Sequence, residues 1–184
     1  MAELTVKRTL FDARQMARMM RRMAAELVER AGGTDTLMLV GVRTRGVPLA
    51  DFVAAEIVRT EGVELPVGIL DITLYRDDLS TIAPQPVVKE SVLPAPIEDK
   101  IVVLCDDVLY SGRTIRAAMD ALMDYGRPKA IRLAVLIDRG HRELPIHADC
   151  IGEYVQTTDT EVIKVSYAAT DDGKEMVELL EREG

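Results

Sequence analysis

The stretch VVLCDDVLYSGRT, residues 102–114, joins an apolar run, two adjacent carboxylates and a small, hydroxyl-rich turn. The apolar residues before Asp106 have the length and character of a strand that is buried on both faces. Asp106 and Asp107 then stand side by side, where two like charges repel each other unless solvent or a ligand stabilises them. Helical periodicity begins at Thr114. This order predicts a ligand site at the carboxyl end of a buried strand.

The rest of the chain repeats this alternation of strands and helices. Short apolar runs predict further strands and apolar residues at helical spacing predict helices, with Gly32 and Gly33 ending the first helix. The predicted strands cover residues 36–42, 65–75, 100–108 and 130–138, and the predicted helices cover residues 10–31, 46–62 and 114–126. Such alternation predicts an α/β fold with a mainly parallel central sheet flanked by helices. The segment RTRG, residues 43–46, then lies at the same sheet edge as Asp106.

Two regions depart from this pattern. Residues 76–99 contain four prolines, and a long irregular excursion of this kind is typical of a lid or a binding loop. A protruding β-hairpin is a compatible alternative for the same residues. After Asp138, short β-like segments occur at residues 149–155 and 161–167, while residues 174–184 fit either a strand or a helix.

Length and composition predict one globular domain and exclude several classes of protein. A chain of 184 residues has the usual size of a single domain. It has no apolar run near the roughly 18 residues of a membrane span, and its N-terminus lacks a secretory signal. Cys105 and Cys150 have no metal-like spacing and make no disulfide framework, which predicts a cytoplasmic protein. Cys105 lies inside an apolar run, which predicts an inert core thiol. The net charge of −8 disfavours sequence-blind nucleic-acid binding.

The turn YSGRT has the chemistry of a phosphate cradle. Its amides lie at a helix N-terminus, Ser111 and Thr114 add hydroxyl donors, and Gly112 lets the backbone approach a ligand. The lysine of a nucleoside-triphosphate loop and the GxGxxG of a dinucleotide site are both missing. Carboxylates accept hydrogen bonds from vicinal hydroxyls and help to hold a hydrated magnesium ion. Together these features predict a ribose 5-phosphate site, whereas a phospho-acceptor receiver domain would leave the turn without a role.

The same residues resemble a known family. VVLCDDVLYSGRT is similar to the phosphoribosyl-pyrophosphate signature of type I phosphoribosyltransferases. Four stretches resemble the pyrimidine-operon regulator family, PyrR, more specifically. They are GVRTRGVPLA (41–50), LDITLYRDDL (70–79), DDVLYSGRTIRAAMDAL (106–122) and LAVLIDRGHRELPI (133–146). The resemblance covers roughly residues 10–165. It implies an RNA-binding attenuation protein, responsive to UMP and UTP, that also has uracil phosphoribosyltransferase activity.

The resemblance implies a role for each group of residues in the transfer of phosphoribose to uracil. Asp106 and Asp107 would bind the ribose hydroxyls beside Mg²⁺, which arrives with the substrate 5-phosphoribosyl 1-pyrophosphate (PRPP). The nucleotide site as a whole would comprise Asp106, Asp107, Val108, Leu109, Tyr110, Ser111, Gly112, Arg113 and Thr114, the last five of them at the 5-phosphate. The pyrophosphate loop would comprise Arg43, Thr44, Arg45 and Gly46, with Arg45 catalytic alongside the aspartates, and a non-proline cis peptide is common there. Tyr75, Arg76, Asp77 and Lys89 would belong to a flexible loop over the pyrophosphate, and Asp138 and Arg139 would begin a hood over uracil.

The resemblance also implies a domain plan and an assembly. One phosphoribosyltransferase domain would span residues 1–184, with a core at about 10–140, the flexible loop at 76–99 and the hood mainly at 139–165. The family forms dimers and higher assemblies, so we expect a dimer or a tetramer, with the methionine-rich first helix and the apolar sheet edges as candidate interfaces.

RNA binding would rest on Arg14, Arg18, Arg22, His141 and Arg142, although a solvated helix face is the more common explanation of the first three. Family members often have LPIRAD and GKNVPTS where this chain has LPIHAD and GEYVQTT. His147 and Glu153 therefore replace basic residues, and a carboxylate facing phosphate gives repulsion. The alternatives for function are a nucleotide-sensing regulator with residual catalysis and a phosphoribosyltransferase for another base.

Overall fold

The computed structural model describes residues 4–78 and 88–182. Its strands are β1 (Leu4–Asp12), β2 (Leu37–Val42), β3 (Val67–Leu70), β4 (Ile101–Leu109), β5 (Ala130–Asp138), β6 (Cys150–Tyr154), β7 (Glu161–Ser166) and β8 (Met176–Arg182). Its helices are α1 (Ala13–Ala31), α2 (Gly46–Glu61) and α3 (Arg113–Met123), with a short 3-10 helix at Thr73–Tyr75. Among these residues no helix is long and apolar enough to cross a membrane.

Five parallel strands form the central sheet in the order β3-β2-β4-β5-β6. Successive residues of a strand point to opposite faces. Leu39 and Val103 accordingly pack with α1 and α2, while Val40 and Leu104 pack with α3. Every residue of β2 is buried because helices cover both faces. The predicted α/β fold with a parallel central sheet is confirmed.

The first helix begins later than its periodicity suggests. Residues 10–12, predicted as helix, form the end of β1, and Asp12 caps α1 by accepting a 2.8 Å bond from the Gln15 amide. The Gln15 side-chain oxygen in turn accepts a 2.9 Å bond from the Asp12 amide, which completes a capping box. The predicted end at Gly32 is confirmed. The methionines of α1 are buried within the chain's own core, so the expectation that they offer an interface is wrong for this face.

A second, antiparallel sheet joins the two ends of the described chain in the order β1-β8-β7. The sequence did not predict β1, and it left residues 174–184 open between strand and helix; β8 resolves that choice as a strand. The predicted hood, residues 139–165, contains most of β7, but the other two strands of this sheet, β1 and β8, lie outside that range. The hood boundary therefore stays a prediction. The division into one domain with a core at about 10–140 likewise stays a prediction.

The region between β3 and β4 is less regular than predicted. The strand predicted over residues 65–75 ends at Leu70 and is followed by the 3-10 helix. In the described residues 88–99, pairing with the sheet is limited to one antiparallel bridge between Val92 and Ile69. The middle of the predicted flexible loop, residues 79–87, lies outside the described residues.

Candidate active site

Asp106 and Asp107 lie near the carboxyl end of β4, with the strand continuing to Leu109. The Asp106 side chain accepts a 2.9 Å bond from the Asp107 amide, and Asp107 accepts a 2.8 Å bond from the Val108 amide. Burial, and then the charge of Asp107, raise the pKa of Asp106 well above its ordinary value. Burial also raises the pKa of Asp107, although the positive charge of Arg45 opposes that shift. Asp106 is buried and Asp107 is half-buried, and among the described residues no cation or hydroxyl group forms a hydrogen bond with either carboxylate.

The turn after β4 leads directly into α3, as the sequence predicts. Gly112 adopts a φ of 92°, a left-handed conformation that glycine adopts without steric cost. The first amides of a helix have no acceptor within it, so those at the start of α3 are available to an anion. The carbonyl of Ser111 accepts bonds from the amides of Glu143 and Leu144, which fix the turn from the far side. A cavity of about 250 Å³ opens between this turn and the Arg76–Asp78 segment.

The 43–46 loop connects β2 to α2 beside the acidic pair. The peptide bond between Arg43 and Thr44 is cis, in agreement with the expectation for this loop. Gly46 packs against β4 so closely that an added Cβ would stand 2.0 Å from the Cys105 carbonyl oxygen and 3.1 Å from the Asp106 Cα. This contact fixes the start of α2 directly against the strand that carries the carboxylates. The loop amides and the acidic pair consequently face one region.

The Arg45 guanidinium is directed to the small sheet. Its Nη2 donates to Asp171 Oδ1 at 2.6 Å and its Nη1 donates to the Val165 carbonyl at 3.3 Å. Arg43 donates to the Glu90 carbonyl at 3.1 Å, so the 43–46 loop also contacts the segment that carries Lys89. A role for Arg45 as a direct pyrophosphate ligand stays a prediction.

Buried Asp71 holds the described ends of the flexible loop. It accepts bonds from the Thr73 amide at 2.7 Å and the Lys89 amide at 2.6 Å, and its own amide donates to the Ser91 hydroxyl. Burial alone would raise the pKa of Asp71, but these bonds and the charge of Arg43 lower it below its ordinary value. Asp71 was not predicted as a site residue, although a lone acid directly after an apolar strand was a signal that could have indicated it.

The N-terminal stem of the flexible loop meets the phosphate turn through α3. Arg113 donates to Asp77 and Glu143, both at 2.6 Å, and Arg116 donates to the Tyr75 carbonyl at 2.8 Å. The exposed Arg76 pairs with Asp78. The structure therefore brings Asp77 to Arg113 at the phosphate turn and Tyr75 to Arg116 further along α3, while closure of the loop over pyrophosphate stays a prediction.

A layer of stacked side chains covers the space beyond Tyr110. The Arg139 guanidinium lies 4.1 Å from the centre of the Tyr110 ring, and the His141 ring is 5.7 Å away on a tilted plane. Arg139 is buried and donates to Thr157 Oγ1 at 3.0 Å and to the Glu161 carbonyl. Burial lowers its pKa from the usual arginine value. Asp138 is paired with Arg142, so Asp138 and Arg139 both stand in the predicted hood with their polar groups engaged.

The residues predicted for RNA binding differ in whether their side chains are exposed or hydrogen-bonded within the chain. Arg14 and Arg18 are exposed. Arg22 donates to the carbonyls of Ile151 and Gly152. Arg142 is fixed by Asp138 and three carbonyl oxygens, and His141 contacts the Thr157 carbonyl at 2.7 Å. A groove of about 340 Å³ lies between α1 and β6 and is lined by Phe11, Gln15, Arg18, Met19, Arg22, Gly152 and Glu153.

The donor set accommodates Mg²⁺ only together with substrate oxygens. In residues 4–78 and 88–182 no group of three or more histidine, cysteine, aspartate or glutamate side chains is arranged to hold a metal. Mg²⁺ retains several waters and is commonly bound by one or two carboxylates plus substrate phosphates. Asp106 and Asp107 fit that mode of binding. Cys105 is fully buried, and burial raises the pKa of its thiol, in agreement with the prediction of an inert core residue.

Comparisons with known proteins agree with this geometry. The family model for the phosphoribosyl transferase domain matches residues 7–170. A bifunctional protein PyrR of Thermus thermophilus is 55% identical over 178 residues, which cover 97% of this chain and 98% of the relative. A bifunctional protein PyrR of Deinococcus radiodurans is 51% identical over 177 residues, which cover 96% of each chain.

The fold is also shared with solved structures of low sequence identity. A hypoxanthine phosphoribosyltransferase of Trypanosoma cruzi superposes with a TM-score of 0.72 at 14% identity, over 97% of this chain and 98% of that one. The hypoxanthine phosphoribosyltransferase of Staphylococcus aureus gives a TM-score of 0.70 at 18% identity, over 94% and 92% of the two chains.

Proposed function

This chain belongs to the PyrR family of phosphoribosyltransferases, bifunctional regulators that carry uracil phosphoribosyltransferase activity, and from that premise we propose how its own residues form UMP. The substrates are uracil and PRPP, and the products are UMP and pyrophosphate. One observation carries the proposal: the acidic pair, the phosphate turn and the 43–46 loop meet at the carboxyl end of β4.

In this proposal the acidic pair and the phosphate turn hold the ribose 5-phosphate from two sides. Asp106 and Asp107 accept hydrogen bonds from the ribose hydroxyls, which supply the polar partners that their buried, ionised forms lack. The amides at the start of α3, with the hydroxyls of Ser111 and Thr114, bind the 5-phosphate. The sugar is thereby oriented with its anomeric carbon toward the 43–46 loop, and such orientation supplies much of the rate.

The leaving pyrophosphate faces the amides at the start of α2. N1 of uracil attacks the anomeric carbon as the bond to pyrophosphate breaks, and the N1 proton is released to solvent. Negative charge accumulates on the departing oxygens. In the proposal, the loop amides and the Lys89 side chain stabilise that charge, and the contact of Arg43 with the Glu90 carbonyl, which joins the loop to the segment that carries Lys89, supports it. Mg²⁺, when bound with PRPP, neutralises part of the pyrophosphate charge. The described residues offer no acidic or basic side chain in contact with Tyr110 that is free of a partner, so we assign no general base.

The base is placed in the layer formed by Tyr110, Arg139 and His141. Arg139 is held by Thr157 and Glu161, so the ring of Tyr110 rests on a fixed cation. In the proposal, the planar uracil ring lies beside this layer, under the hood. Base specificity for uracil is part of the proposal, and competition with orotate and hypoxanthine tests it.

The decisive experiment measures UMP from radiolabelled uracil and PRPP with and without Mg²⁺. Formation of UMP, with no product from orotate or hypoxanthine, supports the proposal. Asp120→Asn, on the exposed face of α3, serves as the control for Asp107→Asn because, in the part of the chain that the structure describes, its carboxylate forms an ion pair with Arg116 of the same helix. A nucleotide product from hypoxanthine, or no UMP from the wild-type protein, would contradict the proposed uracil phosphoribosyltransferase activity.

We extend the proposal to binding of the leader RNA of a pyrimidine operon, with UMP or UTP as the effector. The supporting observation is that Arg18 and Arg22 line the groove between α1 and β6, although Glu153 lines the same groove. A gel shift with the leader RNA, with and without UMP, measures this function. UMP binding without RNA binding would indicate a chain that retains the nucleotide site alone.

A homo-oligomer, either a dimer or a tetramer, completes the proposal. Leu4 and Val6 are exposed on β1, which is an edge strand of the small sheet. Such an edge is open to pairing with a second chain. Light scattering after size-exclusion chromatography gives the mass directly, and a monomer of 20.3 kDa would contradict this part of the proposal.

A further inference from the structure

Asp171 contacts the 43–46 loop from a distant part of the chain. It lies in the turn between β7 and β8, 126 residues from Arg45, and its Oδ1 accepts the 2.6 Å bond from the Arg45 guanidinium. The Arg45 side chain is 33% exposed and that of Asp171 is 14% exposed, so water screens their attraction only in part. Nothing in the sequence pattern connects these two residues.

The turn that carries Asp171 is fixed independently of Arg45. Asp171 Oδ2 accepts from the Tyr167 amide at 3.0 Å and from the Thr170 hydroxyl at 2.8 Å, so both carboxylate oxygens are engaged. The Asp171 and Thr170 amides donate to the Tyr167 carbonyl, and the Tyr167 side chain is buried in the core. Burial alone would raise the pKa of Asp171, but these hydrogen bonds and the charge of Arg45 lower it. Asp171 is thus a rigid, ionised anchor.

The other side of the same loop is fixed by Gly46. Its Cα packs on β4 at Cys105 and Asp106, as the 2.0 Å and 3.1 Å approaches of an added Cβ show. Arg45 immediately precedes Gly46 and occupies the N-cap position of α2, where no side-chain hydrogen bond caps the helix. The loop is therefore held between β4 on one side and the small sheet on the other.

We propose that Asp171 is a positioning residue for phosphoribosyl transfer, which acts by orienting Arg45 so that the 43–46 loop presents its amides to pyrophosphate. The inference rests on the proposed function of that loop. In this inference the Arg45 guanidinium binds Asp171 beside the small sheet, and the backbone amides of the 43–46 loop contact pyrophosphate. The small sheet, through Asp171, then sets the affinity for PRPP and pyrophosphate but not the affinity for UMP, whose phosphate binds at the start of α3.

Two variants break the pair from opposite sides. Asp171→Asn keeps an acceptor for the Tyr167 amide and removes the charge, while Arg45→Gln removes the guanidinium and leaves the turn intact. Asp172→Asn, the neighbouring exposed carboxylate, is the matched control. For each protein, KM for PRPP, the inhibition constant of pyrophosphate and the dissociation constant of UMP are measured, together with Tm.

The expected result is a rise of about tenfold in KM for PRPP and in the inhibition constant of pyrophosphate for both variants, because loop misplacement of even about 1 Å weakens catalysis strongly. The UMP dissociation constant should change less than about twofold, and the double variant should be no worse than either single variant, as expected of residues that act as one unit. Asp172→Asn should match the wild type.

Each other outcome overturns the inference. A fall in KM for Asp171→Asn would mean that Asp171 competes with pyrophosphate for Arg45. A much larger loss for Arg45→Gln than for Asp171→Asn would mean that Arg45 binds pyrophosphate directly. A lower Tm with unchanged kinetics would make the pair structural. If Asp171→Asn does not fold, Asp171→Glu, which keeps the charge but displaces the carboxylate by one methylene group, replaces it in the comparison with Arg45→Gln. A wild-type protein that forms no UMP would refute the proposed function itself, which is a separate result.

Discussion

Replacing Gly46 with alanine tests whether the contact between the 43–46 loop and β4 sets catalysis. The added Cβ would stand 2.0 Å from the Cys105 carbonyl oxygen and 2.9 Å from the Cys105 carbonyl carbon. Both atoms belong to the backbone of the central strand, which cannot rotate away as a side chain would. The loop must therefore retreat from Asp106.

The size of the effect follows from that geometry. Real Cβ contacts do not fall below 3.0 Å, so the loop must move by about 1 Å, and a shift of that size near a reacting centre costs about 100-fold in rate. Overpacking also destabilises a fold by about 1–3 kcal/mol. For a chain of this length each kcal/mol lowers Tm by about 2–4 °C.

The assay is steady-state UMP formation with varied PRPP, together with a thermal melt. We expect kcat/KM for PRPP to fall about 100-fold while the protein stays folded at the assay temperature. Gly62→Ala is the control, since Gly62 ends the same helix at its other terminus with a φ of 69° and open space around it. That change costs about 1–2 kcal/mol of backbone strain and should leave the kinetics unchanged. Kinetics for Gly46→Ala within about twofold of wild type would refute the positional argument.

Four further outcomes follow from the same structure. Asp107→Asn should abolish UMP formation without lowering Tm, because burial disfavours the charged form; an unchanged rate would remove Asp107 from the site. Folding raises the pKa of Asp106 and Asp107 above 3.8, so the free energy of unfolding should fall as pH rises through the raised pKa, while kcat/KM rises as the carboxylates ionise. A kcat/KM that has already reached its plateau below pH 3.8 would contradict this. Asp71→Asn should raise KM for PRPP and lower stability by about 1–3 kcal/mol, since an amide nitrogen cannot accept the bond from the Lys89 amide; denaturant unfolding and kinetics check it. Glu153→Lys should tighten leader-RNA binding and steepen its logarithmic salt dependence by about one, as measured by gel shifts at several salt concentrations.

The central sheet could be predicted because its signals are local. The strands β2, β4 and β5 are built on apolar runs, and the helices between them carry a regular apolar face, so pattern alone predicted a parallel sheet with helices on both faces. The phosphate turn was equally accessible, since residues 106–114 form one strand–turn–helix unit. The strand predicted over residues 65–75 was too long because an apolar, β-branched composition does not exclude the 3-10 helix at Thr73–Tyr75.

The small sheet and the supports of the site could not be predicted in the same way. Nearly every residue of β1 is exposed or only half-buried, so its composition carries no strong signal of a buried strand. The contacts of Asp71 with Lys89 and of Arg45 with Asp171 join residues that are 18 and 126 positions apart. Such pairs are set by packing of the whole fold, and a pattern of neighbouring residues contains no information about them.

The pairing of β1 with β8 has a consequence for protein synthesis. A ribosome adds about 5–20 residues each second, so β1 emerges well before its partner and leaves an unpaired edge until Met176–Arg182 is made. The acidic pair and the phosphate turn are complete much earlier. Residues 106–114 are synthesised before Asp171, so the contact of Asp171 with Arg45, which we propose orients the 43–46 loop, can form only after the acidic pair and the phosphate turn have been made.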